Sequence, residues 1–426
     1  MRISTFTRWG LVSAILWAIP PAGAQLVQPS EIQNAGLTRY WDAQLGLSKE
    51  DRVVGAHLVD DSLYVLTVEG GVFSLDARVG LVRWAERLAR RSVRIHRPTH
   101  LQTPDASGPA VFLSATGVSV VDRFAGKLLY RFTPSFSPSC VPVGVADGLF
   151  VGSTAGSLYA LALPSHAEQS PVQVWEARTG APVTAAPVIY PGGRLLIAAS
   201  NGKVVSCFFA NKQLAWEFCA REGIVADPVV ADGAAYIASL DRRLYKLDAE
   251  SGARLWEHRF EQPLRNAPQV AGSSVFQYRD GAGLAALDAT SGELRWEERQ
   301  GLGVASLTED RVIVESTEGD LLILARSTGK RLATVGARAA AYVPFHASSD
   351  ATYLVSEDGR IECLRPAGVP YLRPDGLAEA RRGPRIAPRA DSESDLSLEA
   401  GGGRSLPELE DPLRSQYDRP STPPSP

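Results

Sequence analysis

Few residues in this chain combine the types and the spacing that chemistry at a protein site requires. Its six histidines are scattered, and only His96 and His100 have the four-residue spacing of metal ligands on one helix face. Pro98 lies between them and disfavours a helix. We therefore expect this pair to lie in a solvated loop rather than at a metal.

The four cysteines provide no metal or redox motif either. No two of them are adjacent, and four are too few for a disulfide scaffold in 426 residues. Cys207 and Cys219 flank a predicted turn at 210–213, and a tight two-strand register places Cys207 opposite about Trp216. A disulfide between these neighbours and buried free thiols both remain open. The four cysteines are Cys140, Cys207, Cys219 and Cys363.

One basic cluster stands out in a mildly acidic chain of formal net charge -3, which disfavours nucleic acid as a partner. The cluster is the stretch RLARRSVRIHR, with Arg87, Arg90, Arg91, Arg94 and Arg97. These arginines predict either a contact with an anionic partner, such as an acidic protein face or lipid headgroups, or a solvated strand face. No glycine-rich phosphate loop or Gly-x-Ser-x-Gly elbow occurs in a persuasive context.

The first 24 residues have the organisation of an export signal. Arg2 and Arg8 supply positive charge, an apolar run covers 9–19, and Ala22-Gly23-Ala24 fits the small-residue cleavage rule. We therefore predict a signal peptide at 1–24 and a periplasmic or envelope-associated protein.

The alternative to a signal peptide is a retained membrane anchor, which needs about 20 apolar residues. Pro20 and Pro21 end the run too early for that, and no other segment approaches spanning length. Gln25 occupies the position where a lipoprotein would carry cysteine, so a lipid anchor is not indicated.

Two stretches forty residues apart reveal an internal repeat. LYKLDAESGARLWEHRF begins at Leu244, LAALDATSGELRWEERQ begins at Leu284, and both contain Leu-Asp-Ala-x-Ser-Gly-x-x-x-Trp. Steps of 37–46 residues extend the pattern to seven copies, a period that indicates a propeller or a solenoid. The anchor positions are Trp84, Tyr130, Trp175, Trp216, Trp256, Trp296 and Ala333.

Each copy contains four short alternating segments bounded by turn residues, which predicts one four-stranded propeller blade. Aspartates at the third turn should accept backbone hydrogen bonds, glycines should adopt positive φ, and the tryptophans should fill the wedge between blades. These structural roles account for the repeated residues completely. The aspartates are Asp76, Asp122, Asp248 and Asp288, and the glycines are Gly80, Gly126, Gly252 and Gly292.

Prolines recur with the same period and should begin the innermost strands, where a missing N–H donor is tolerated. They are Pro142, Pro187, Pro228, Pro268 and Pro344.

The final copy, from Tyr342, has three predicted strands with a hairpin at Asp358-Gly359 but lacks the aromatic strand. The segment TRYWDAQL from Thr38, with Trp41 as anchor, resembles the missing piece. We therefore predict an all-β, eight-bladed propeller over 37–366, closed by an N-terminal strand, with seven blades as the fallback.

The remaining segment, 367–426, has a different composition. Eleven of the chain's 29 prolines fall between Pro366 and the end, and periodicity is absent. We predict a disordered, proline-rich tail there.

The unit ALDATSGELRW (286–296) resembles the tryptophan-docking repeat of the pyrroloquinoline-quinone-like, or BamB-like, β-propeller family. Similar units cover about 37–366. This family includes quinoprotein dehydrogenases and non-catalytic scaffolds of the outer-membrane β-barrel assembly machinery, and its members are typically periplasmic or secreted.

The resemblance to the dehydrogenases implies adjacent cysteines above the quinone and a calcium site with Glu, Asn and Asp ligands. This chain has no adjacent cysteines, and its repeated aspartates occupy turns. The leading hypothesis is therefore an exported, monomeric, non-catalytic scaffold that binds protein partners, without a cofactor, a metal site or catalytic residues. The alternative is a pyrroloquinoline-quinone-dependent dehydrogenase of alcohols or sugars.

Overall fold

The computed structural model describes residues 25–164 and 170–371, which form a ring of eight antiparallel sheets. Seven sheets have four strands in sequence order, and the eighth has three strands in the order β1, β31, β30. The prediction of an all-β, eight-bladed propeller is thereby confirmed. The predicted signal peptide (1–24) and the residues from 372 onward lie outside the described part of the chain.

The described residues contain one short helix, α1 (Pro29–Asn34), and 31 strands. The strands are β1 (Leu37–Gln44), β2 (Val53–Val59), β3 (Ser62–Thr67), β4 (Gly71–Asp76), β5 (Val82–Arg87), β6 (Thr99–His100), β7 (Ala110–Ser114), β8 (Gly117–Val121), β9 (Leu128–Phe132), β10 (Val143–Val145), β11 (Gly148–Gly152), β12 (Ser157–Ala162), β13 (Val172–Arg178), β14 (Val188–Tyr190), β15 (Arg194–Ala198), β16 (Lys203–Phe208), β17 (Leu214–Cys219), β18 (Val229–Ala231), β19 (Ala234–Ala238), β20 (Arg243–Asp248), β21 (Arg254–Arg259), β22 (Gln269–Ala271), β23 (Ser274–Arg279), β24 (Gly283–Asp288), β25 (Leu294–Glu298), β26 (Gly301–Leu307), β27 (Arg311–Ser316), β28 (Asp320–Ala325), β29 (Arg331–Gly336), β30 (Thr352–Val355) and β31 (Arg360–Pro366).

Blade 1 is β2–β5, blade 2 is β6–β9, and the count continues by fours to blade 7, β26–β29. Blade 8 combines β30 and β31 with β1. Because all strand pairs are antiparallel, the linkers between blades lie on one side of the ring, here called the linker face. The turns between the first and second strands of each blade lie on the opposite side, here called the hairpin face.

The hydrophobic core of the described residues is divided into eight clusters, one between each pair of neighbouring blades. Each tryptophan anchor reaches across one of these boundaries, where its indole Nε1 donates to a backbone carbonyl of the next blade. The bonds are Trp41 to Ala77 (3.1 Å), Trp84 to Arg123 (2.8 Å), Trp175 to Phe209 (3.0 Å), Trp216 to Ala249 (3.0 Å), Trp256 to Ala289 (3.1 Å) and Trp296 to Arg326 (2.8 Å).

The turn aspartates and glycines prepare the surface that receives each indole. Asp288 Oδ1 accepts hydrogen bonds from the backbone N–H groups of Thr290 (2.7 Å) and Ser291 (2.9 Å). Gly292 then adopts φ +74°, and a Cβ there would lie 2.7 Å from the Trp256 ring. The glycine is therefore required twice, by its backbone conformation and by the indole packed on it.

Gly252→Ala should destabilise the protein by about 2 kcal/mol more than Gly233→Ala. Both glycines have nearly the same φ, +72° and +73°, so both variants carry the cost of about 1 kcal/mol for a left-handed alanine. At Gly252 the new Cβ lies 2.6 Å from the Trp216 ring, whereas at Gly233 nothing lies within 4 Å. Urea unfolding of the two variants measures the difference. Equal losses would show that the indole yields freely to the added methyl group.

The inner strands β10, β14, β18 and β22 each begin directly after one of the recurrent prolines. The prediction that Pro344 also begins an inner strand is wrong, and so is the count of three strands after Tyr342. That segment makes only an isolated bridge from Tyr342 to Val355, while His346 N–H donates to Val304 O of blade 7 at 2.9 Å. The backbone there bonds to the neighbouring blade, so it does not continue the ladder of its own blade.

Blade 7 has Ala333 at the anchor position, and the N-terminal segment fills the space that a tryptophan occupies elsewhere. Leu26, Val27 and Ile32 are buried in the cluster between blades 7 and 8, against which Ala333 packs. Glu31 Oε2 also accepts the backbone N–H of Gly336 at 2.8 Å. The residues before β1 therefore belong to the ring.

The ring closes through β1 and β31, which pair from Leu37–Pro366 to Gln44–Arg360. Glu362, with 0% exposure, lies at the centre of this seam. Its Oε2 is 3.1 Å from Arg39 Nε, and its Oε1 is 3.4 Å from Arg360 Nε. Its Oε1 also accepts the backbone N–H of Leu26 at 3.0 Å. One buried carboxylate thus joins the N-terminal segment, the first strand and the last.

Residues 367–371, which the composition assigns to the tail, still contact the ring. The Tyr371 ring stacks on Tyr40 with centroids 5.1 Å apart, and Ala367 N–H donates to Gly36 O at 2.9 Å.

Candidate functional site: the central channel

The inner strands surround a channel with a cavity of about 960 Å³ on the ring axis. All eight blades contribute to its wall, from Val59 of blade 1 to Phe345 of blade 8. Most of the wall is apolar, as in ligand-binding pockets. The charged and imidazole groups in the wall are Asp60, Arg97, His100, Arg123 and Asp227.

His100 is the group that sequence reasoning placed most wrongly. It lies on β6 in the channel wall, with a side chain only 6% exposed, and not in a solvated loop. Its Nδ1 is 2.7 Å from Asp60 Oδ2, and its Nε2 is 2.7 Å from the Tyr64 hydroxyl. The partners lie in blade 1, so the proximity of these three residues is invisible in local spacing.

Burial lowers the pKa of His100, so the ring is neutral at pH 7. Because a carboxylate only accepts, Nδ1 donates to Asp60 and Nε2 accepts from the Tyr64 hydroxyl. Burial also raises the pKa of Tyr64 to about 12. Tyr64 is fully buried, so this chain of hydrogen bonds joins blades 1 and 2 behind the channel wall.

Beside this chain, two arginines hold the carboxylate of Asp61. Arg83 Nη2 lies 2.9 Å from Asp61 Oδ2, and Arg123 Nη2 donates to Asp61 Oδ1. Burial opposes ionisation of Asp61, but the hydrogen bonds and charges of both arginines hold its pKa below the ordinary value. Arg83 also pairs with the turn residue Asp76 at 2.8 Å. These arginine charges are satisfied within the protein.

The described residues do not fit the calcium and quinone site that the dehydrogenase alternative implies. The described ranges contain no group of three His, Cys, Asp or Glu side chains placed to hold a metal ion. The four cysteines are free, and three of them are buried. Burial raises the pKa of the Cys140 thiol to about 12, so this sulfur is not poised for chemistry at neutral pH.

The disulfide considered for Cys207 and Cys219 is absent, since both thiols are free. Cys207 pairs with Leu214 across the hairpin, and Ser206 pairs with Trp216. The expected register is displaced because a bulge separates Ser206 and Cys207.

The arginine cluster between blades 1 and 2 divides into paired and unpaired members. Arg87 contacts Glu69 at 2.5 Å, and Arg91 contacts Glu69 at 3.1 Å and Glu50 at 3.4 Å. Arg90, Arg94 and Arg97 are exposed and form no ion pair with any residue of the described ranges. Only Arg87 lies on a strand, since the others belong to the linker after β5.

The pKa of His57, on β2, is affected by two arginines of this cluster. Burial, followed by the charges of Arg97 and Arg94, lowers its pKa from 6.5 to about 4. A folded-state pKa below the unfolded value stabilises the protein above about pH 6.5, and this contribution is lost as the pH falls towards 4.

Between pH 7 and pH 4, the wild-type protein should lose up to about 3 kcal/mol more stability than the His57→Gln variant. Glutamine has the same hydrogen-bonding ends without a titrating proton. Urea unfolding at pH 7, 5.5 and 4 provides the comparison, with the other histidines as a common background. Parallel stability profiles for the two proteins would contradict the assignment.

The one helix in residues 25–164 and 170–371 lacks the length and apolar character needed to cross a membrane.

Comparison with known proteins agrees with the architecture. Residues 165–367 match the family model described as outer membrane protein assembly factor BamB. The BamB of Bordetella pertussis is 26% identical over 41% of this chain and 49% of its own length. The 1-butanol dehydrogenase (quinone) of Thauera butanivorans is 28% identical over 30% of this chain and 23% of its own length.

These matches span no more than about half the length of the curated relatives. The crystal structure of BamB from Moraxella catarrhalis superimposes with a TM-score of 0.62, covering 79% of this chain and 99% of that chain. Its 17% identity establishes the shared fold alone. These findings together confirm the resemblance of the repeat unit to the pyrroloquinoline-quinone-like, BamB-like repeat family, whose β-propeller fold this chain shares.

Proposed function

We propose that the protein is an exported, non-catalytic scaffold that binds protein partners during assembly of the cell envelope, as in outer-membrane protein assembly. The observation that carries this proposal is that the repeated residues have structural roles: the indoles, aspartates and glycines form the turns and the contacts between blades. The match of 165–367 to the BamB family model supports the more specific role. Export and an envelope location are supported by the features of residues 1–24.

The linker face offers the surface that we assign to a partner. Arg90 and Arg94 are exposed there without an ion pair in the described ranges, whereas Glu69 and Glu50 already occupy Arg87 and Arg91. Unpaired guanidinium groups attract carboxylates, to which they bind in bidentate geometry. We therefore assign an acidic protein face as the partner, contacted by Arg90 and Arg94.

Affinity purification from native membranes tests this assignment. The full chain should retain a defined partner, and the charge-reversed variant Arg90→Glu/Arg94→Glu should lose at least about tenfold of it, more at low salt than at high salt. Arg221→Glu is the control for charge reversal at another place, and it is compared with each single variant, Arg90→Glu and Arg94→Glu, because Arg221 is exposed on another linker and forms no ion pair in the described ranges. Equal capture of the partner by the wild-type protein and all variants would show that Arg90 and Arg94 do not contribute to the interface. Capture of no partner by the wild-type chain would contradict the scaffold itself.

A second candidate function, quinone-dependent oxidation, is favoured by the identity to the butanol dehydrogenase. The test is to incubate the protein with pyrroloquinoline quinone and calcium and to follow the cofactor absorption and alcohol-dependent dye reduction. Because the channel lacks a group of metal ligands among the described residues, we expect no reduction above the protein-free control. Clear alcohol-dependent reduction would replace the scaffold proposal.

A further inference from the structure

We propose that the acidic stretch 391–411 of this chain docks on Arg90 and Arg94 of the linker face and competes there with the protein partner. This inference rests on the proposed function, because it adds an internal competitor to the same interface. The stretch lies outside the described residues. Charge complementarity, the length of the connecting segment and the two arginines support the contact.

The side chains of Arg90 and Arg94 form no ion pair in the described ranges. Both are exposed, whereas Arg91, between them, contacts Glu69 at 3.1 Å. Burial, followed by the charge of Arg94, lowers the pKa of His96, so this neighbouring ring is neutral at pH 7. Two guanidinium groups therefore face solvent, where each can bind a carboxylate in bidentate geometry.

Among the eight described linkers between blades, only the linker between blades 1 and 2 carries a large net charge. Residues 88–98 contain four arginines and no acidic residue, a net charge of +4 with neutral histidines. The net charge of each other linker lies between −1 and +1. An acidic segment is therefore attracted to this part of the linker face more than to any other linker. The other linkers are 45–52, 133–142, 179–187, 220–228, 260–268, 299–300 and 337–351.

The stretch 391–411 has the opposite charge. It contains seven acidic residues and one arginine, a net charge of −6. The segment 372–390 before it has five arginines and two acidic residues, and 412–426 after it has two arginines and one acidic residue. Beyond Tyr371, the stretch 391–411 is thus the one part that the arginines attract and do not repel. Its acidic residues are Asp391, Glu393, Asp395, Glu399, Glu408, Glu410 and Asp411.

The connecting segment is long enough for the contact. Tyr371, the last described residue, stacks on Tyr40 of β1 with centroids 5.1 Å apart, so residue 372 starts at blade 8, the neighbour of blade 1. The 20 residues from 372 to 391 span at most about 66–72 Å. A six-residue strand such as β4 is about 20 Å long, and neighbouring sheets pack about 10 Å apart. The stretch can therefore pass from the hairpin face to the linker face and reach the next blade.

Attachment to the same chain makes the stretch a strong competitor. A tethered segment meets its site at an effective concentration on the order of a millimolar. The carboxylates of 391–411 offer the same chemistry as the acidic protein face that we assign to the partner. The partner must therefore displace the stretch before it contacts Arg90 and Arg94.

A labelled peptide with the sequence of 391–411 tests the docking without a protein partner. Fluorescence anisotropy compares the wild-type full chain with a full-length amide variant, which should bind the peptide at least about tenfold more tightly because its own stretch no longer competes. Binding should weaken as the salt concentration rises. The amide variant carries Asp391→Asn, Glu393→Gln, Asp395→Asn, Glu399→Gln, Glu408→Gln, Glu410→Gln and Asp411→Asn.

Two further substitutions in the amide variant locate the peptide. Arg90→Gln/Arg94→Gln should weaken peptide binding at least about tenfold. Arg221→Gln/Arg299→Gln is the matched control, because both arginines are exposed on other linkers and form no ion pair in the described ranges. This control should bind the peptide within about twofold of the amide variant.

Carbodiimide cross-linking shows the contact within one chain. In Arg90→Lys/Arg94→Lys, with the acidic stretch intact, the two introduced amines should form amide bonds to carboxylates of 391–411, which mass spectrometry identifies on the monomer. Arg221→Lys/Arg299→Lys should give at most about a tenth of these cross-links, and high salt should suppress them.

The docking is overturned if the wild-type chain and the amide variant bind the peptide equally. It is also overturned if Arg90→Gln/Arg94→Gln leaves binding unchanged, or if the control amines cross-link equally well. Cross-links of 391–411 to none of the introduced amines would contradict it too.

Capture of the native partner is measured separately. The amide variant should capture at least about threefold more partner than the wild-type chain. If capture depends on Arg90 and Arg94 but does not rise in the amide variant, the competition is wrong and the scaffold stands. If no protein captures a partner, the scaffold is wrong, while the peptide and the cross-links still decide whether the stretch docks.

Discussion

Replacing Trp256 by alanine should lower the free energy of unfolding by about 3–5 kcal/mol. The indole is only 9% exposed and packs in the cluster between blades 5 and 6, beside Tyr236 at a centroid distance of 6.0 Å. Its Nε1 donates to Ala289 O, and its ring lies on Gly292. Truncation removes this contact area and one of the two donors to the Ala289 carbonyl, the other being Lys246 Nζ at 2.7 Å.

The control for this experiment is the adjacent residue. Leu255 lies on the same outer strand but is 54% exposed, so Leu255→Ala should change the stability by no more than about 0.5 kcal/mol. Urea unfolding followed by circular dichroism measures both variants. Similar small losses would mean that the indole is not an anchor between blades.

Glu362→Ala should also cost about 3–5 kcal/mol, because breaking a buried ion pair leaves its partners uncompensated. Arg39 and Arg360 would lose their shared carboxylate at the seam, and Leu26 N–H would lose its acceptor. The loss should be concentrated at the closure, so hydrogen exchange of the β1 amides should accelerate more than that of blades 4 and 5.

Glu357→Ala provides the charge-matched comparison for the seam. Glu357 is exposed in the turn between β30 and β31, and its side chain forms no ion pair in the described ranges. This variant should remain within about 0.5 kcal/mol of the wild-type stability. Uniform acceleration of exchange around the ring in Glu362→Ala would show that the carboxylate does not act locally.

The fold was largely predictable because each blade is specified within about forty residues. The Asp–Gly–Trp pattern predicts the turn, the positive φ and the indole at once, and each is evident within a single copy. The features that were not predicted lie where a copy departs from this repeat pattern. The sequence shows that Ala333 stands where the other copies have an aromatic anchor. Only the folded ring shows that Leu26, Val27 and Ile32 fill the space of the missing side chain. An apolar pattern just before β1 was the available signal.

The channel was not predicted, for a related physical reason. Each blade contributes only a few residues to it, so no single segment of sequence contains the site. His100 becomes a buried partner of Asp60 and Tyr64 only because blades 1 and 2 are adjacent. The arginine cluster was visible as composition, whereas the pairing of Arg87 and Arg91 with Glu69 depends on the turn that presents this glutamate.

The pairing of β1 with β31 has a consequence for how the chain is made. About 300 residues separate the two strands, so at a synthesis rate of about 5–20 residues per second the first waits some 15–60 s for the last. Throughout that interval a nascent chain carries an open edge that any equivalent strand could occupy. Two copies that fold close together would therefore favour interlinked products, in which each molecule contributes its first strand to its neighbour.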